Sequence, residues 1–250
     1  MTAITGRPPR AVTIDLDDTL FPQADFLSGA WRAVAAAAGR QGVPVEPLRI
    51  MLGAIAAEGS DRGRIIDRAL ARCGIRPAPE LVAGLVAAFR DYRPAVLAVY
   101  PGVADALRQL RALLPVGCVT DGDPAVQRAK IGALGLTGAF DTVVISDELG
   151  RRFRKPHPAP FLAALDALGV AAGDALHIGD RPDKDVAGPH QLGMRAVRVR
   201  TGEYAGRPDG TPPAEFSFPD AASALAAICA WVAQPGPAAG ARHRSSSDLV

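Results

Sequence analysis

Ala11-Val12-Thr13-Ile14-Asp15-Leu16-Asp17-Asp18-Thr19-Leu20 is the strongest indicator of fold in this 250-residue chain. Its first four residues are apolar or β-branched, a run typical of a buried parallel strand. Three aspartates follow directly. Burying such carboxylates is costly unless a cation and hydrogen bonds compensate for the lost water. The stretch therefore predicts a metal ion at the carboxyl end of a strand, with two aspartates that serve different purposes beside it.

The composition narrows the class of protein. A hydrophobic content of 48% supports a substantial core, and 250 residues have room for one α/β domain with a smaller insertion. The net charge of +2 favours neither nucleic acid nor an anionic membrane as a partner. The three cysteines are widely spaced, which indicates neither a disulfide framework nor a zinc site. Without a signal segment or a run of about 18 apolar residues, we expect a cytoplasmic protein.

Helix and strand patterns alternate from residue 101 onward. Such alternation with wholly apolar strands predicts an α/β fold, a three-layer, Rossmann-like parallel sheet with helices on both faces, to which strand Ala11–Ile14 also belongs. The predicted strands are Val116–Val119, Thr142–Ile145, Ala175–Ile178 and Ala196–Val199, and the predicted helices are Val103–Leu114, Pro124–Leu134 and Pro158–Leu168.

The segment before residue 99 has a different composition. It is rich in Ala, Leu and Arg with helical spacing of its apolar residues, and Pro-containing breaks separate the helices. We therefore predict that residues 1–22 and 99–233 form the α/β core, and that 23–98 form an inserted α-helical cap. Residues 234–250 are rich in Pro, Gly, Ala and Ser without periodicity, and we expect a disordered tail there. The predicted cap helices are Leu27–Ala38, Pro47–Ala57, Arg62–Cys73 and Pro79–Phe89.

Four polar motifs follow one another along the core. They are Asp15-x-Asp17-x-Thr19, Thr120-Asp121-Gly122, Lys155-Pro156-His157-Pro158 and Gly179-Asp180-x-x-x-x-Asp185. Three of them follow predicted strands, and ligands of open α/β sheets gather at the carboxyl ends of strands. The residue types suit phosphoryl transfer: a carboxylate can attack phosphorus, Mg²⁺ prefers oxygen ligands, and lysine and threonine can hold phosphoryl oxygens.

In order and spacing these motifs resemble the haloacid dehalogenase (HAD) superfamily of phosphohydrolases, and the cap position resembles its helical C1 class. The resemblance implies an Mg²⁺-dependent phosphatase that acts on a small phosphorylated metabolite through an aspartyl-phosphate. Asp15 would be the nucleophile and a metal ligand. Asp17 would be the general acid/base, and its backbone carbonyl would also reach the metal.

The resemblance also assigns roles to the later motifs. Thr120 and Lys155 would bind the phosphoryl group. Asp121-Gly122 is interpreted most simply as a turn, with backbone amides that could face the phosphate. Asp180 would be the remaining direct metal ligand. Asp185 would support the metal or orient the lysine.

Several residues compete for these roles. Lys130 and Lys184 are the other two lysines of the chain. Lys130 is expected to be solvated on an amphipathic helix, whereas Lys184 lies within the fourth motif and could face outward. Asp183 is a rival to Asp185. His157 and His177 are interpreted as a loop residue and a strand residue without catalytic roles.

Other reactions of the same scaffold remain to be weighed. Asp17 argues against a dehalogenase, which does not need a general acid two residues after its nucleophile. Residues 23–99 contain no lysine, so a phosphonate-cleaving enzyme with a cap Schiff base is disfavoured. A phosphomutase, which keeps the same core motifs, and a non-catalytic phosphate-binding module remain alternatives.

The substrate is expected to be selected by the cap. The stretch from Phe21 to Gly29 resembles HAD members of surface-sugar or secondary-metabolite pathways, which favours a sugar phosphate over nucleotides and small phospho-acids. A monomer and a homodimer both remain open. The candidate specificity residues are Gln23, Asp25, Ser28, Trp31, Arg62, Arg64, Arg90 and Arg93.

Overall fold

A six-stranded parallel sheet forms the centre of the protein, with strand order β3-β2-β1-β4-β5-β6. The structure, a computed structural model, describes residue 4 and residues 6–59 and 63–234. The predicted α/β parallel-sheet fold is confirmed. The strands are β1 (Ala11–Ile14), β2 (Val116–Thr120), β3 (Thr142–Ile145), β4 (Ala175–Gly179), β5 (Arg195–Val199) and β6 (Phe216–Phe218).

Helices cover both faces of this sheet. One apolar cluster joins β1 residues Val12 and Ile14 to α5 and α10, and a second joins Val119 of β2 to Phe161 of α8 on the opposite face. The sheet is therefore the middle of three layers. The helices are α1 (Gln23–Gly39), α2 (Val45–Ala57), α3 (Ile65–Arg72), α4 (Pro79–Asp91), α5 (Val103–Arg111), α6 (Pro124–Ala133), α7 (Ser146–Leu149), α8 (Ala159–Leu168), α9 (Ala187–His190) and α10 (Ala221–Val232).

Helices α1 to α4, which we call the helical segment, have an apolar cluster of their own. Trp31, Leu52, Ile55, Leu70 and Leu85 are buried in it. The segment lies between β1 and α5 in the chain, where we predicted a cap. Its division from the sheet as a separate domain stays a prediction.

The sequence missed one strand. β6 has three residues, Phe216–Phe218, which is too short to show an alternating pattern. Two predictions, the cap residue Arg62 and the tail beyond residue 234, lie outside the described residues. Among the described residues, no helix is both long and apolar enough to cross a membrane.

Candidate active site

The register of the sheet brings three of the motifs together. Ile14, the last residue of β1, pairs with Cys118 of β2 and with Ile178 of β4. The next residue, Asp15, donates its backbone N–H to the carbonyl of Ile178 at 2.9 Å. β1 therefore ends between its two neighbours, where the strand order changes direction and α/β sheets bind ligands. Thr120 ends β2 at this same edge.

Lys155 links two buried aspartates of this site. Its ammonium lies 2.5 Å from Asp15 Oδ1 and 2.7 Å from Asp185 Oδ1, and it also donates to the carbonyl of Val119 at 3.1 Å. Burial disfavours a charged lysine, but the two carboxylates outweigh this and raise its pKa. Burial likewise acts to raise the pKa of Asp185, but the ammonium lowers it below the usual range. Asp185 and Lys155 are therefore a charged, mutually compensating pair.

The negative charges of Asp15 and Asp180 are less fully balanced by nearby positive groups. Burial raises the pKa of Asp15 to about 7, and burial with Asp185 nearby raises the pKa of Asp180 well above its usual range. Ligand atoms of Asp15, Asp180 and Asp185 all lie within 4.8 Å of one another. The Thr19 hydroxyl lies 3.4 Å from both Asp15 Oδ2 and Asp180 Oδ1. This all-oxygen set fits a hard divalent cation, which would supply the missing positive charge.

The three carboxylates are not equally available to such a cation. Both oxygens of Asp185 already accept hydrogen bonds, Oδ1 from Lys155 and Oδ2 from the backbone N–H of Arg181 at 3.0 Å. Asp180 accepts from the Thr19 hydroxyl at the longer 3.4 Å. The geometry therefore favours Asp15 and Asp180 as direct ligands, and Asp185 as the partner that orients the lysine.

Asp17 is held by two residues of α6. Lys130 Nζ lies 2.7 Å from Asp17 Oδ1, and Gln127 Nε2 donates to Asp17 Oδ2 at 2.9 Å. The expectation that Lys130 is solvated is wrong, because this residue is 97% buried. Three residues separate the end of β2 from the start of α6, and two side chains in the first two turns of α6 reach Asp17 just beyond β1. Gln127 was not predicted at all.

Asp121 organises the loop that carries the lysine. Its Oδ1 accepts from the Ser146 hydroxyl at 2.7 Å and from the backbone N–H of Lys155 at 3.0 Å. Lys184 donates to its Oδ2 at 2.9 Å and thus faces the site. Burial acts to raise the pKa of Asp121, but Lys155 and Lys184 lower it below the usual range. Both oxygens of this side chain are occupied by protein groups.

The rival residues have other surroundings. Asp183 is half exposed and paired with Arg181, away from the lysine. His177, within β4, is fully buried between Thr13 Oγ1 at 2.8 Å and Asp185 Oδ1 at 3.4 Å, and burial lowers its pKa. His157 Nδ1 accepts the backbone N–H of the first residue of α8 at 3.1 Å.

A cavity of about 520 Å³ lies above these groups. Its floor includes Asp15, Asp17 and Asp180, and its roof is formed by residues of the helical segment, among them Phe26 and Phe89. The predicted specificity residues divide into two groups. Those that line the cavity are Gln23, Trp31, Arg64 and Arg90; Asp25, Ser28 and Arg93 lie outside its lining.

Comparisons with known proteins agree with this geometry. A family model described as haloacid dehalogenase-like hydrolase matches residues 9–193. The chain belongs to the haloacid dehalogenase-like hydrolase family. The glyceraldehyde 3-phosphate phosphatase of Methanopyrus kandleri is 37% identical over 217 residues, which are 84% of this chain and 91% of the relative.

Two further relatives show the range of the family. The phosphoglycolate phosphatase of Rhodospirillum rubrum is 33% identical over 238 residues, 92% of this chain and 93% of the relative. The crystal structure of 2-haloacid dehalogenase from Pseudomonas syringae pv. Tomato superposes with a TM-score of 0.63 at 28% identity, covering 89% of this chain and 99% of that one. The prediction of a HAD-like phosphomonoester hydrolase is confirmed; the individual roles of the site residues stay predictions.

Proposed function

We propose that the protein is an Mg²⁺-dependent phosphatase that hydrolyses a small phosphomonoester through an aspartyl-phosphate on Asp15. One observation carries this proposal: a buried carboxylate, held by Lys155 at 2.5 Å, stands beside the undercompensated Asp180 on the floor of the cavity. Mg²⁺, when bound by Asp15 and Asp180 with the backbone carbonyl of Asp17, would neutralise and orient the oxygens of the phosphoryl group.

The first step transfers the phosphoryl group to the protein. A carboxylate oxygen of Asp15 forms a bond to phosphorus as the bond to the leaving oxygen breaks. Asp17 gives a proton to that leaving oxygen, which departs as an alcohol. The Thr120 hydroxyl and the Lys155 ammonium stabilise the negative charge on the phosphoryl oxygens.

The second step regenerates the carboxylate. A water attacks the aspartyl-phosphate and gives one proton to Asp17, so inorganic phosphate and the starting form of Asp15 result. Asp17 thus acts first as an acid and then as a base. A carboxyl group in this position, on the cavity lining, argues for phosphoryl transfer over dehalogenation.

The proposed substrate is a small sugar phosphate. Supporting this, the Methanopyrus kandleri relative is a phosphatase of glyceraldehyde 3-phosphate, a three-carbon sugar phosphate. The roof supplies apolar and aromatic surface together with the cations Arg64 and Arg90, which could contact the part of the substrate beyond the phosphate. The expected cytoplasmic location and the monomeric or homodimeric state stay predictions.

The test is a phosphate-release screen over sugar phosphates, nucleoside monophosphates and phospho-acids, with Mg²⁺ and with a chelator. We expect release with Mg²⁺ alone, fastest for a small sugar phosphate. An isomerised product without net phosphate would establish the alternative phosphomutase. Phosphate binding without turnover would establish the non-catalytic module.

A further inference from the structure

Two side chains outside the four motifs converge on the proposed acid. Gln127 and Lys130 are three residues apart on α6 and therefore lie on one face of that helix. Both are at least 97% buried, although amide and ammonium groups are rarely buried without a specific partner. Their shared partner is Asp17, one on each carboxyl oxygen.

The amide of Gln127 joins two residues to which we assign different roles. Its Nε2 donates to Asp17 Oδ2 at 2.9 Å and to Thr120 Oγ1 at 2.6 Å, so both amide hydrogens are used. A carboxylate accepts and cannot donate, which fixes the amide orientation with nitrogen toward Asp17. The acid and the phosphoryl-binding hydroxyl are therefore held by one rigid group.

This arrangement also orients the Thr120 hydroxyl. A hydroxyl has one hydrogen to donate and two lone pairs that accept. Because Gln127 occupies a lone pair of Thr120 as donor, the hydroxyl hydrogen remains for another acceptor. A phosphoryl oxygen bound in the cavity would be such an acceptor.

Lys130 fixes the other half of the Asp17 carboxyl. Its side chain is 4% exposed and that of Asp17 is 17% exposed, so water competes little for this ion pair. The ammonium also lies 4.6 Å from the ring centre of Phe26, in the helical segment, within the range of a cation–π contact. Each Asp17 oxygen keeps a second lone-pair site, so a proton can still be carried to the cavity.

We propose that Gln127 and Lys130 are positioning residues, which aim the Asp17 carboxyl at the leaving oxygen of the substrate. Gln127 additionally presents the Thr120 hydroxyl to the phosphoryl group. The inference rests on the proposed function, in which Asp17 protonates the leaving group. If Gln127 and Lys130 act in this way, replacing them should lower kcat/KM most for substrates whose leaving group must be protonated.

The experiment compares two phosphate esters whose leaving groups differ in whether they must be protonated. Nitrophenolate leaves p-nitrophenyl phosphate without a proton, whereas the alkoxide of glyceraldehyde 3-phosphate needs one. Lys130→Met should lower kcat/KM for the alkyl ester by about 100-fold and for the aryl ester by less than about threefold. Gln127→Leu should lower both, and the alkyl ester more, because Thr120 serves both reactions.

Two controls separate positioning from folding. Arg128→Met alters the neighbouring residue, whose side chain is 62% exposed and paired with Glu148, and should leave both esters unchanged. Lys130→Arg keeps the charge and should restore part of the alkyl-ester activity. Equal losses for the two esters in Lys130→Met would overturn the inference, because a structural defect would not distinguish leaving groups.

A double-variant comparison tests the route of action. With Asp17 already changed to Asn, the further change Lys130→Met should cost little for the alkyl ester, because the acid it positions is gone. A full additional loss would contradict the inference. If Lys130→Met does not fold, Gln127→Leu provides the same test. In wild-type protein Gln127→Leu should cost the alkyl ester more than the aryl ester, and in the Asp17→Asn background this excess should disappear. Wild-type protein that hydrolyses neither ester would overturn the proposed function, and the inference with it.

Discussion

The floor and the roof of the cavity are built on opposite principles. On the floor, the side chains of Lys155 and Asp185 are 3% and 1% exposed, and each is fixed by partners on other elements. On the roof, Arg64 and Arg90 are 80% and 55% exposed and lie among apolar side chains of the helical segment. The charges of the first region are buried among specific protein partners, whereas those of the second are mostly solvated.

The two regions should therefore differ in how well they tolerate substitution. A buried charge that loses its partner destabilises the fold, so the floor tolerates few changes. An exposed arginine contributes little to stability, so the roof can change its cations without loss of structure. The floor would therefore keep the reaction constant while the roof sets the substrate.

The largest effect should follow from changing the proposed nucleophile. Asp15→Asn should reduce phosphate release from p-nitrophenyl phosphate by about 10⁴-fold or more, because an amide oxygen cannot form the aspartyl-phosphate. The matched control is Asp183→Asn, at a half-exposed aspartate near the same site, which should keep nearly full activity. Comparable activity in the two variants would contradict the proposal that Asp15 is the nucleophile.

Loss of the floor lysine should affect folding as well as activity. Lys155→Met leaves Asp15 and Asp185 buried without their cation, and should lower the free energy of unfolding by about 3–5 kcal/mol at neutral pH. Lysine now lowers the pKa of Asp185, so without it that pKa rises. The stability deficit should therefore shrink as pH falls, which urea unfolding at several pH values would reveal. A deficit independent of pH would contradict the electrostatic account.

Binding of Mg²⁺ should weaken in acid. The raised pKa of Asp15, about 7 without metal, means that this carboxyl is protonated below neutral pH, and protons then compete with the cation. The apparent affinity, measured by calorimetry, should fall by up to about tenfold for each pH unit below 7 and level off above it. A constant affinity between pH 5 and 8, roughly the range in which unperturbed carboxylates are already ionised, would contradict Mg²⁺ binding by an Asp15 carboxyl with a raised pKa.

The smallest effect is expected on the roof. Arg90→Gln removes an exposed ion pair with Asp123, 3.3 Å long, between the helical segment and the start of α6. Stability should change by less than about 0.5 kcal/mol, whereas relative kcat/KM among phosphorylated substrates should shift by up to about tenfold. Loss of hydrolysis for every substrate would indicate that Arg90 takes part in the reaction itself rather than in the choice of substrate.

The residues of the floor were largely predictable from the sequence because they directly follow recognisable strands. Apolar strands followed by Asp15, Thr120 and Asp180 indicate one edge of a parallel sheet without further information. Lys155 was also predicted, and the structure places it against the first aspartate.

The errors arose where one element faces another. Lys130 was interpreted as solvated because helical periodicity shows which face of a helix is polar. It does not show whether that face contacts solvent or another part of the protein. Gln127 and Lys130 share a face of the helix that follows Thr120, and this spacing was the signal that could have found them. For the same reason the sequence did not separate Trp31 and Arg90, which line the cavity, from Arg93, which does not.

The proposed reaction passes through a covalent phosphate on Asp15. The most direct measurement is mass spectrometry of the protein quenched in acid during turnover of p-nitrophenyl phosphate with Mg²⁺, followed by peptide mapping. We expect one phosphoryl group, on the peptide that contains Asp15, and none in Asp15→Asn. Rapid turnover with no phosphorylated peptide, or with the phosphoryl group on another residue, would contradict it.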